Sequence, residues 1–218
     1  MTTRQKTPDS TTAALDNARW CDAVCRAHGF SGTFGPRVWT SSRRTPRFYP
    51  DAVTLDPAAT PGEVLAGVDA GPGCSVKDSF ASLDLALDGF EVLFEAHWIR
   101  RPAPTTTSSS WTRVLDQVNL RALGFDFPSV LFDDESVFVL GDKHGSGAIA
   151  TPGESVVGLS NLVTRGDPDR AWGDAVAAFS AWFPGLPIVG YERGTELETA
   201  VRQGFEAVGP LRVWLRTG

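Results

Sequence analysis

The chain has 218 residues, of which 42% are hydrophobic and 21% charged, and its formal net charge is −6. This length suffices for one large domain or two small ones that share a sheet, and the negative charge argues against a surface that binds nucleic acid or an acidic membrane. No apolar run approaches the roughly 20 residues that span a bilayer, and three cysteines, an odd number, do not make a disulfide framework. We therefore expect a cytoplasmic protein.

The N-terminal segment is a polar stretch followed by a helical pattern. Residues 1–11 lack an apolar core and are expected to form a disordered tail. Apolar residues over 12–28 recur at helical spacing and predict a helix with one buried face. Cys21 and Cys25 share that face, with His28 three residues on, but a fourth ligand is missing. We expect small buried core residues here and no metal.

A basic and aromatic cluster follows the helix. Arg43, Arg44 and Arg47 lie near Trp39 in the sequence, between two short predicted strands. In an acidic protein, such a cluster is a candidate site for a phosphorylated or carboxylated small-molecule substrate. The alternative is a solvated loop whose arginines pair with surplus carboxylates.

A strand–helix–strand pattern occupies residues 76–99. Gly89-Phe90 separates the predicted helix from a strand over 92–99. In that strand Glu95 and His97 share one face, so His97 could act as a catalytic base with Glu95 orienting it. A solvated sheet face is the alternative.

The proline- and threonine-rich segment 101–110 cannot build a core element and is predicted to be a linker. It would separate an N-terminal α/β half, 12–100, from a C-terminal core, 111–218. The predicted elements of that core are a helix over 111–123, strands over 130–132, 137–140, 147–150 and 156–162, and a helix over 168–183. Asp133-Asp134-Glu135 is expected at the tip of a hairpin.

The last unit is the most legible. A buried strand begins at Pro187, and Thr195 with Glu198 could form a capping box at the start of a helix. Gly204 ends that helix in a left-handed conformation, and Phe205 leads into the final strand.

A chain that closes with strand, turn, helix, Gly-Phe and strand resembles the C-terminal part of the Gcn5-related N-acetyltransferase (GNAT) superfamily, here over about 120–218. The resemblance implies an α/β fold with a mixed, mostly antiparallel sheet flanked by helices. The weaker pattern over 76–98 suggests a tandem of a degenerate N-terminal half and a fuller C-terminal half, and chance similarity is the alternative.

The resemblance also implies a place for acyl-CoA. In that superfamily the pantetheine arm lies in a gap between the fourth and fifth strands, and the following loop cups the pyrophosphate at a helix N-terminus. The corresponding cofactor-binding positions in this sequence are Leu159, Asn161, Val163, Arg165 and Gly166.

The sequence departs from the superfamily pattern at two places. The loop lacks a second glycine, Pro168 removes a donor, and Asp167 and Asp169 place negative charge where a pyrophosphate would sit. An ordinary helix cap at Asp167 explains this loop equally well. The segment TELETAVRQ, 195–203, also lacks the Tyr or Asn that acts as general acid in the superfamily. Acyl-CoA binding is therefore doubtful.

Tyr191 and Glu192 end the predicted fifth strand and are the remaining catalytic candidates, together with His97 and Glu95. Glu192 could act as an acid or base if a water-excluded site raises its pKa. Two functions remain open: a GNAT-like acyltransferase or repurposed enzyme acting on a small molecule, and a catalytically silent protein that binds a ligand or a partner subunit in a homo- or hetero-dimer.

Overall fold

A computed structural model describes residues 10–103, 105 and 108–218. The α-helices are α1 Ser10–Ala27, α2 Pro61–Leu65, α3 Gln117–Ala122, α4 Pro168–Trp182 and α5 Gly194–Arg202, with 3₁₀ turns at Ala86–Asp88 and Ser129–Asp133. The strands are β1 Thr33–Phe34, β2 Val38–Thr40, β3 Ala52–Thr54, β4 Ser75–Asp78, β5 Phe90–Arg101, β6 Thr112–Arg113, β7 Phe138–Gly141, β8 Gly147–Pro152, β9 Val157–Val163, β10 Ile188–Glu192 and β11 Glu206–Arg216.

The strands form one 11-stranded sheet in the order β1-β2-β3-β4-β11-β5-β10-β9-β8-β7-β6. Only two pairs are parallel, β3 with β4 and β9 with β10. The mixed, mostly antiparallel sheet flanked by helices confirms the predicted fold class. The final strand of each half is exchanged: β11 lies beside β4, and β5 lies beside β10.

The two central strands are related by a pseudo-two-fold axis perpendicular to the sheet. Glu206 pairs with Arg100 and Leu215 pairs with Glu91, so matching Glu91 to Glu206 also matches Arg100 to Leu215. In each of the two strands one residue has no partner in the ladder, which is consistent with that symmetry. The two halves therefore share one architecture around β5 and β11.

The helix-to-strand turns obey the same symmetry. Gly89 and Gly204 both have positive φ, 83° and 85°, and each leads into a buried phenylalanine. The central ladder matches Trp98 of β5 to Val213 of β11. The division at 101–110 stays a prediction, and residues 104, 106 and 107 lie outside the described residues.

Helices cover both faces of the sheet. On one face, α4 and α5 pack through Trp172, Phe179 and Ala200 on the strands of the C-terminal half. On the other face, α1 crosses from β3 to β9 and β10, and Ala13 and Ala14 pack on the central strands. One helix from the N-terminal half thus covers strands of both halves.

Several local predictions are wrong. The tail prediction placed Ser10 outside the first helix, yet Ser10 begins α1, while residues 1–9 lie outside the described residues. The helix predicted over 111–123 shrinks to α3, because Asp116 caps it by accepting hydrogen bonds from two backbone N–H groups. The segment 130–132 is a 3₁₀ turn, with Val130 half exposed.

Two further local predictions are also wrong. Arg193, without a side-chain cap, precedes α5, so Thr195 and Glu198 form no capping box there. Asp134 does not stand at a hairpin tip; it forms an ion pair with Arg26 of α1. Among the described residues, no helix has the length and apolar character required to cross a membrane.

Candidate functional site

The strands β9 and β10 pair over only two residues, the last pair being Gly158 with Val189. At the next step the strands still touch, since a Cβ on Gly190 would lie 2.8 Å from the carbonyl oxygen of Leu159. Beyond that point the ladder between them stops. The facing backbone edges of both strands are therefore open to a ligand that can form hydrogen bonds with a strand.

A β-bulge at Asn161 accompanies the separation. Ser160 pairs with Ile149 and Val163 with Gly147, so two residues of β9 oppose one residue of β8. Asn161 has a φ of 54°, in the left-handed region that asparagine tolerates better than most residues. The bulge bends β9 where it leaves β10.

A cavity of about 280 Å³ lies at this opening. It is lined by residues of α1, of the segment before β3, of β4, and of the separated ends of β9 and β10. The lining residues are Asn17, Trp20, Cys21, Phe48, Tyr49, Pro50, Lys77, Leu159, Ser160, Asn161, Leu162, Tyr191 and Glu192.

Glu192 lies at the end of β10 and lines this cavity. Burial, with a smaller contribution from the nearby Glu196 carboxylate, raises the pKa of Glu192 to about 7. None of the described residues forms a hydrogen bond with its carboxyl group. Glu192 can therefore gain or lose a proton near neutral pH.

Tyr49 supplies a hydroxyl group to the lining. Its ring packs edge-on against Trp20 and Phe127, with centroid distances of 5.9 and 6.4 Å. The hydroxyl oxygen is buried and forms no hydrogen bond of normal geometry within the described part of the chain. Burial raises the pKa of Tyr49, and the nearby Asn161 side chain acts weakly in the opposite direction. The hydroxyl therefore stays protonated at neutral pH.

Lys77 brings a positive charge to the same cavity. Its side chain is only 4% exposed, and its ammonium donates a hydrogen bond to Asn17 Oδ1 at 2.6 Å. The ammonium also lies 4.1 Å from the ring centroid of Tyr191, which packs edge-on against Trp98. Tyr191 therefore lines the cavity, and its ring contacts the Lys77 ammonium.

His97 and Glu95 are exposed and outside the lining. The predicted pair of base and orienting carboxylate is not formed, because Glu95 instead accepts two hydrogen bonds from Arg212, at 3.0 and 2.6 Å. In the ladder His97 lies opposite Glu192.

The basic and aromatic cluster is also engaged elsewhere. Trp39 is fully buried and donates a hydrogen bond to Asp22, while Arg44 pairs with Asp51 at 2.8 Å. Arg43 and Arg47 stack on the rings of neighbouring phenylalanines. None of the four predicted substrate-binding residues lines the cavity.

The predicted phosphate loop follows β9 directly. Val163 ends the strand, the Arg165 N–H donates to Ser146 Oγ at 3.0 Å, and Gly166 has a φ of 79°. Asp167 caps α4 by accepting from the Asp169 N–H at 3.1 Å, and Arg202 pairs with the Asp169 side chain. The Arg202 guanidinium therefore offsets the negative charge of Asp169. Two backbone N–H donors are nevertheless unavailable to a phosphate, because the Asp169 N–H is used in the helix cap and Pro168 has no N–H.

The structure brings the predicted residues Leu159, Asn161, Tyr191 and Glu192 together; sequence reasoning included Tyr49 only as a member of the basic and aromatic cluster and did not identify Lys77 or Asn17. These three come from distant segments that only the tertiary fold unites. In the part of the chain that the structure describes, no group of three or more His, Cys, Asp and Glu side chains could hold a metal ion.

No known protein-family profile matches this sequence, and no curated protein is similar to it in sequence. Solved structures are similar in fold. A GCN5-related N-acetyltransferase from Kribbella flavida aligns with a TM-score of 0.59 and 11% identity, over 94% of this chain and 95% of its own. A protein described as an acetyltransferase of the GNAT family, from Novosphingobium aromaticivorans, aligns with a TM-score of 0.53 and 14% identity, over 94% and 99% of the two chains. The chain therefore has a GNAT fold, and the alignments extend over both halves.

Proposed function

We propose that this protein is an acyltransferase that transfers an acyl group from a thioester to the amine of a small molecule, in the cavity between β9 and β10. The observation that carries the proposal is Glu192. Glu192 is partly exposed at the cavity, and a carboxyl group whose pKa is raised into the neutral range beside a cavity is a feature that concentrates at functional sites.

The chemistry assigned to the cavity needs one base and one acid. Glu192, with its pKa raised to about 7, accepts a proton from the acceptor amine as the N–C bond forms and the C–S bond breaks. The thiolate that leaves takes up a proton, and we assign this proton to the hydroxyl of Tyr49, which is buried and protonated; Ser160 and Tyr191 are the other hydroxyl-bearing side chains among the described lining residues. Both groups act in a site sheltered by α1.

The donor is proposed to bind through its amide-bearing arm. The open backbone edges at Leu159 and Tyr191 suit a chain of amides that pairs with strands, as pantetheine does in this fold. The loop at Asp167 and Pro168 fits a pyrophosphate less well, because it offers fewer N–H donors. We therefore propose that acyl-CoA is recognised mainly by its acyl-pantetheine end.

Calorimetric titration with acetyl-CoA and with acetyl-pantetheine tests this proposal. We expect both to bind, with dissociation constants within about threefold of each other. The absence of binding by either donor at millimolar concentration would overturn the proposal. Tighter binding of acetyl-CoA by about a hundredfold would instead give the loop a dominant role.

The matched variants Glu192→Gln and Glu206→Gln separate binding from chemistry. Glu192→Gln should leave donor binding unchanged and slow thiol release about a hundredfold, the usual size of a general-base effect. The acceptors are the proteinogenic amino acids and the amines derived from them by decarboxylation. Glu206 is exposed at the start of β11, so its substitution should change neither quantity.

A second candidate is a catalytically silent protein that binds a ligand or a partner subunit. It is favoured by the capped loop before α4 and by the lack of Tyr and Asn in α5. Donor binding without thiol release for any acceptor, in the wild type as in Glu192→Gln, would support this candidate over the enzyme.

A further inference from the structure

Lys77 belongs to the N-terminal half but faces the cavity of the C-terminal half. It pairs with Val213 on β11, as Tyr191 pairs with Trp98 on β5. Because the central ladder matches Val213 to Trp98, Lys77 and Tyr191 occupy equivalent positions. The contact between the Lys77 ammonium and the Tyr191 ring therefore joins two symmetry mates.

The charge of Lys77 is not balanced. No described carboxylate forms an ion pair with it, although Lys77 is only 4% exposed. Asn17 Oδ1 accepts a hydrogen bond from one of the three N–H groups of the Lys77 ammonium, and the aromatic face of Tyr191 offers a cation–π contact. Neither partner supplies the negative charge that a buried ammonium normally requires.

Two buried carboxylates elsewhere in the described part of the chain, Asp51 and Asp78, have partners within the protein. Asp51 pairs with Arg44 and accepts hydrogen bonds from the backbone N–H groups of Thr45 and Ser75. Asp78 accepts a hydrogen bond of 2.8 Å from the backbone N–H of Leu83. The chain thus supplies partners for these buried carboxylates but no counter-charge for Lys77, and we infer that the Lys77 ammonium is available to a ligand.

The cavity lining limits what that partner can be. Lys77 is the only cationic side chain among the described lining residues, and Glu192 is the only acidic one. A single ammonium matches a single carboxylate better than a phosphate dianion, which favours an arginine fork or several cations. A ligand that carries a carboxylate and an amine would match the two charges at once.

We propose that Lys77 anchors the carboxylate of the acceptor, so that the acceptor is a small amine of the amino-acid class. The assignment of the amine to Glu192 rests on the function proposed above. The carboxylate contact rests on Lys77, Asn17 and the cavity alone. It can therefore be tested without any acyl donor.

The experiment measures binding of each proteinogenic L-amino acid and its decarboxylated amine to the full chain by calorimetry. We expect at least one amino acid to bind about tenfold or more tightly than its matched amine, the size of one charged hydrogen bond. Lys77→Met should remove that difference, and Lys143→Met, which removes an exposed lysine in a turn, should leave it intact. Equal binding of acids and amines, or no binding of either, would overturn the proposal.

The thermal midpoint of the free protein separates an anchoring role from a structural one. Because a buried ammonium without a counter-charge destabilises the fold, Lys77→Met should unfold at the same temperature as the wild type or higher. A lower midpoint with unchanged ligand binding would make Lys77 a structural residue and overturn the proposal. Asn17→Asp gives a second route: its carboxylate would pair with Lys77, so amino-acid binding should fall about tenfold.

Failure of this inference is distinguishable from failure of the proposed function. Amino-acid binding that depends on Lys77, together with no binding of acetyl-CoA or acetyl-pantetheine, would leave a carboxylate site without acyl transfer. Binding of the donor without a preference for carboxylates would leave acyl transfer with a different acceptor.

Discussion

The two halves contain the same parallel strand pair in two states. In the N-terminal half, β3 and β4 stay paired at Val53 and Lys77. The position equivalent to Lys77 in the C-terminal half is Tyr191, where β9 and β10 no longer pair. One half is closed at the place where the other opens into a cavity.

A single side chain accounts for much of the closure. Thr54 Oγ1 accepts a hydrogen bond of 2.7 Å from the backbone N–H of Ser79, which continues the contact between β3 and β4 beyond the ladder. If the β3–β4 ladder and the β9–β10 ladder are each extended residue by residue, Thr54 of β3 and Asn161 of β9 reach equivalent positions. Asn161 adopts a left-handed conformation in a bulge, so the corresponding contact is absent.

The carboxylates beside the two strand pairs differ in the same way. Asp51 in the closed half accepts hydrogen bonds from Thr45, from Ser75 and from Arg44. Glu192 in the open half has no described hydrogen-bond partner. The comparison teaches that this architecture is stable when the gap is filled by hydrogen bonds, and that an opened gap leaves polar groups available to a ligand.

The largest expected effect comes from the contact that holds α1 over the opening. A Cβ at Gly158 would lie 1.8 Å from Asp16 Oδ2 and 2.4 Å from Thr151 Oγ1. Gly158→Ala must therefore displace the buried Asp16 and Thr151 side chains and strain the seat of α1, which carries three residues of the cavity lining, and we expect a loss of about 3 kcal/mol in the free energy of unfolding. Urea denaturation measures it.

Gly62→Ala is the matched control, since a Cβ there meets no atom within 4 Å and the residue lies in the first turn of α2. We expect it to be neutral or slightly stabilising. Equal stability of the two variants would show that α1 is not seated on Gly158, and the contrast between a covered gap and a closed gap would fail.

Thr54→Val tests the closure of the N-terminal half. The substitution keeps the shape but removes the acceptor, and it leaves the buried Ser79 N–H without a partner, at an expected loss of about 2 kcal/mol in unfolding free energy. Thr54→Ser retains the hydroxyl and should lose less than half as much. If both variants lost the same amount, packing of the Thr54 methyl group would hold the strands together instead.

The fold was predictable where local chemistry and tertiary packing agree. Gly204 ends α5 because glycine alone enters the left-handed region without strain, and Asp167 with Pro168 begins α4 as expected for a cap. Packing overrode the pattern elsewhere. Trp111 has helical spacing with its neighbours, yet it is buried before β6 and α3 begins only after Asp116.

The site was predictable only in part. Leu159, Asn161 and Glu192 follow from the strand order, because the gap belongs to two strands that the sequence identifies. Lys77 and Tyr49 reach the cavity through the exchange of β5 and β11 and through the course of the segment before β3. No spacing within one segment carries that information, so their roles could come only from tertiary structure.

The smallest expected effect is the response of stability to pH, and it tests whether the Asp16 carboxyl group that lies over Gly158 is protonated in the fold. Burial raises the pKa of Asp16 from its ordinary 3.8 to about 7, against a hydrogen bond from Thr151, and Glu192 behaves similarly. A raised pKa means that the folded state keeps a proton that the unfolded state releases. The stabilisation is therefore complete below about pH 4 and is lost as the pH rises to about 7.

Between pH 5 and 6 the free energy of unfolding should fall by about 1 kcal/mol because of Asp16, close to the limit for one group. Because Glu192 contributes a slope of similar size, Asp16→Asn should remove about half of the total, whereas the exposed Asp126→Asn should leave it unchanged. Urea denaturation at pH 5, 6 and 7 measures the slope in each variant. A wild-type stability that rises over this interval would mean that Asp16 is ionised in the fold, and α1 would then have to be held by a charge pair instead of a protonated carboxyl group over Gly158.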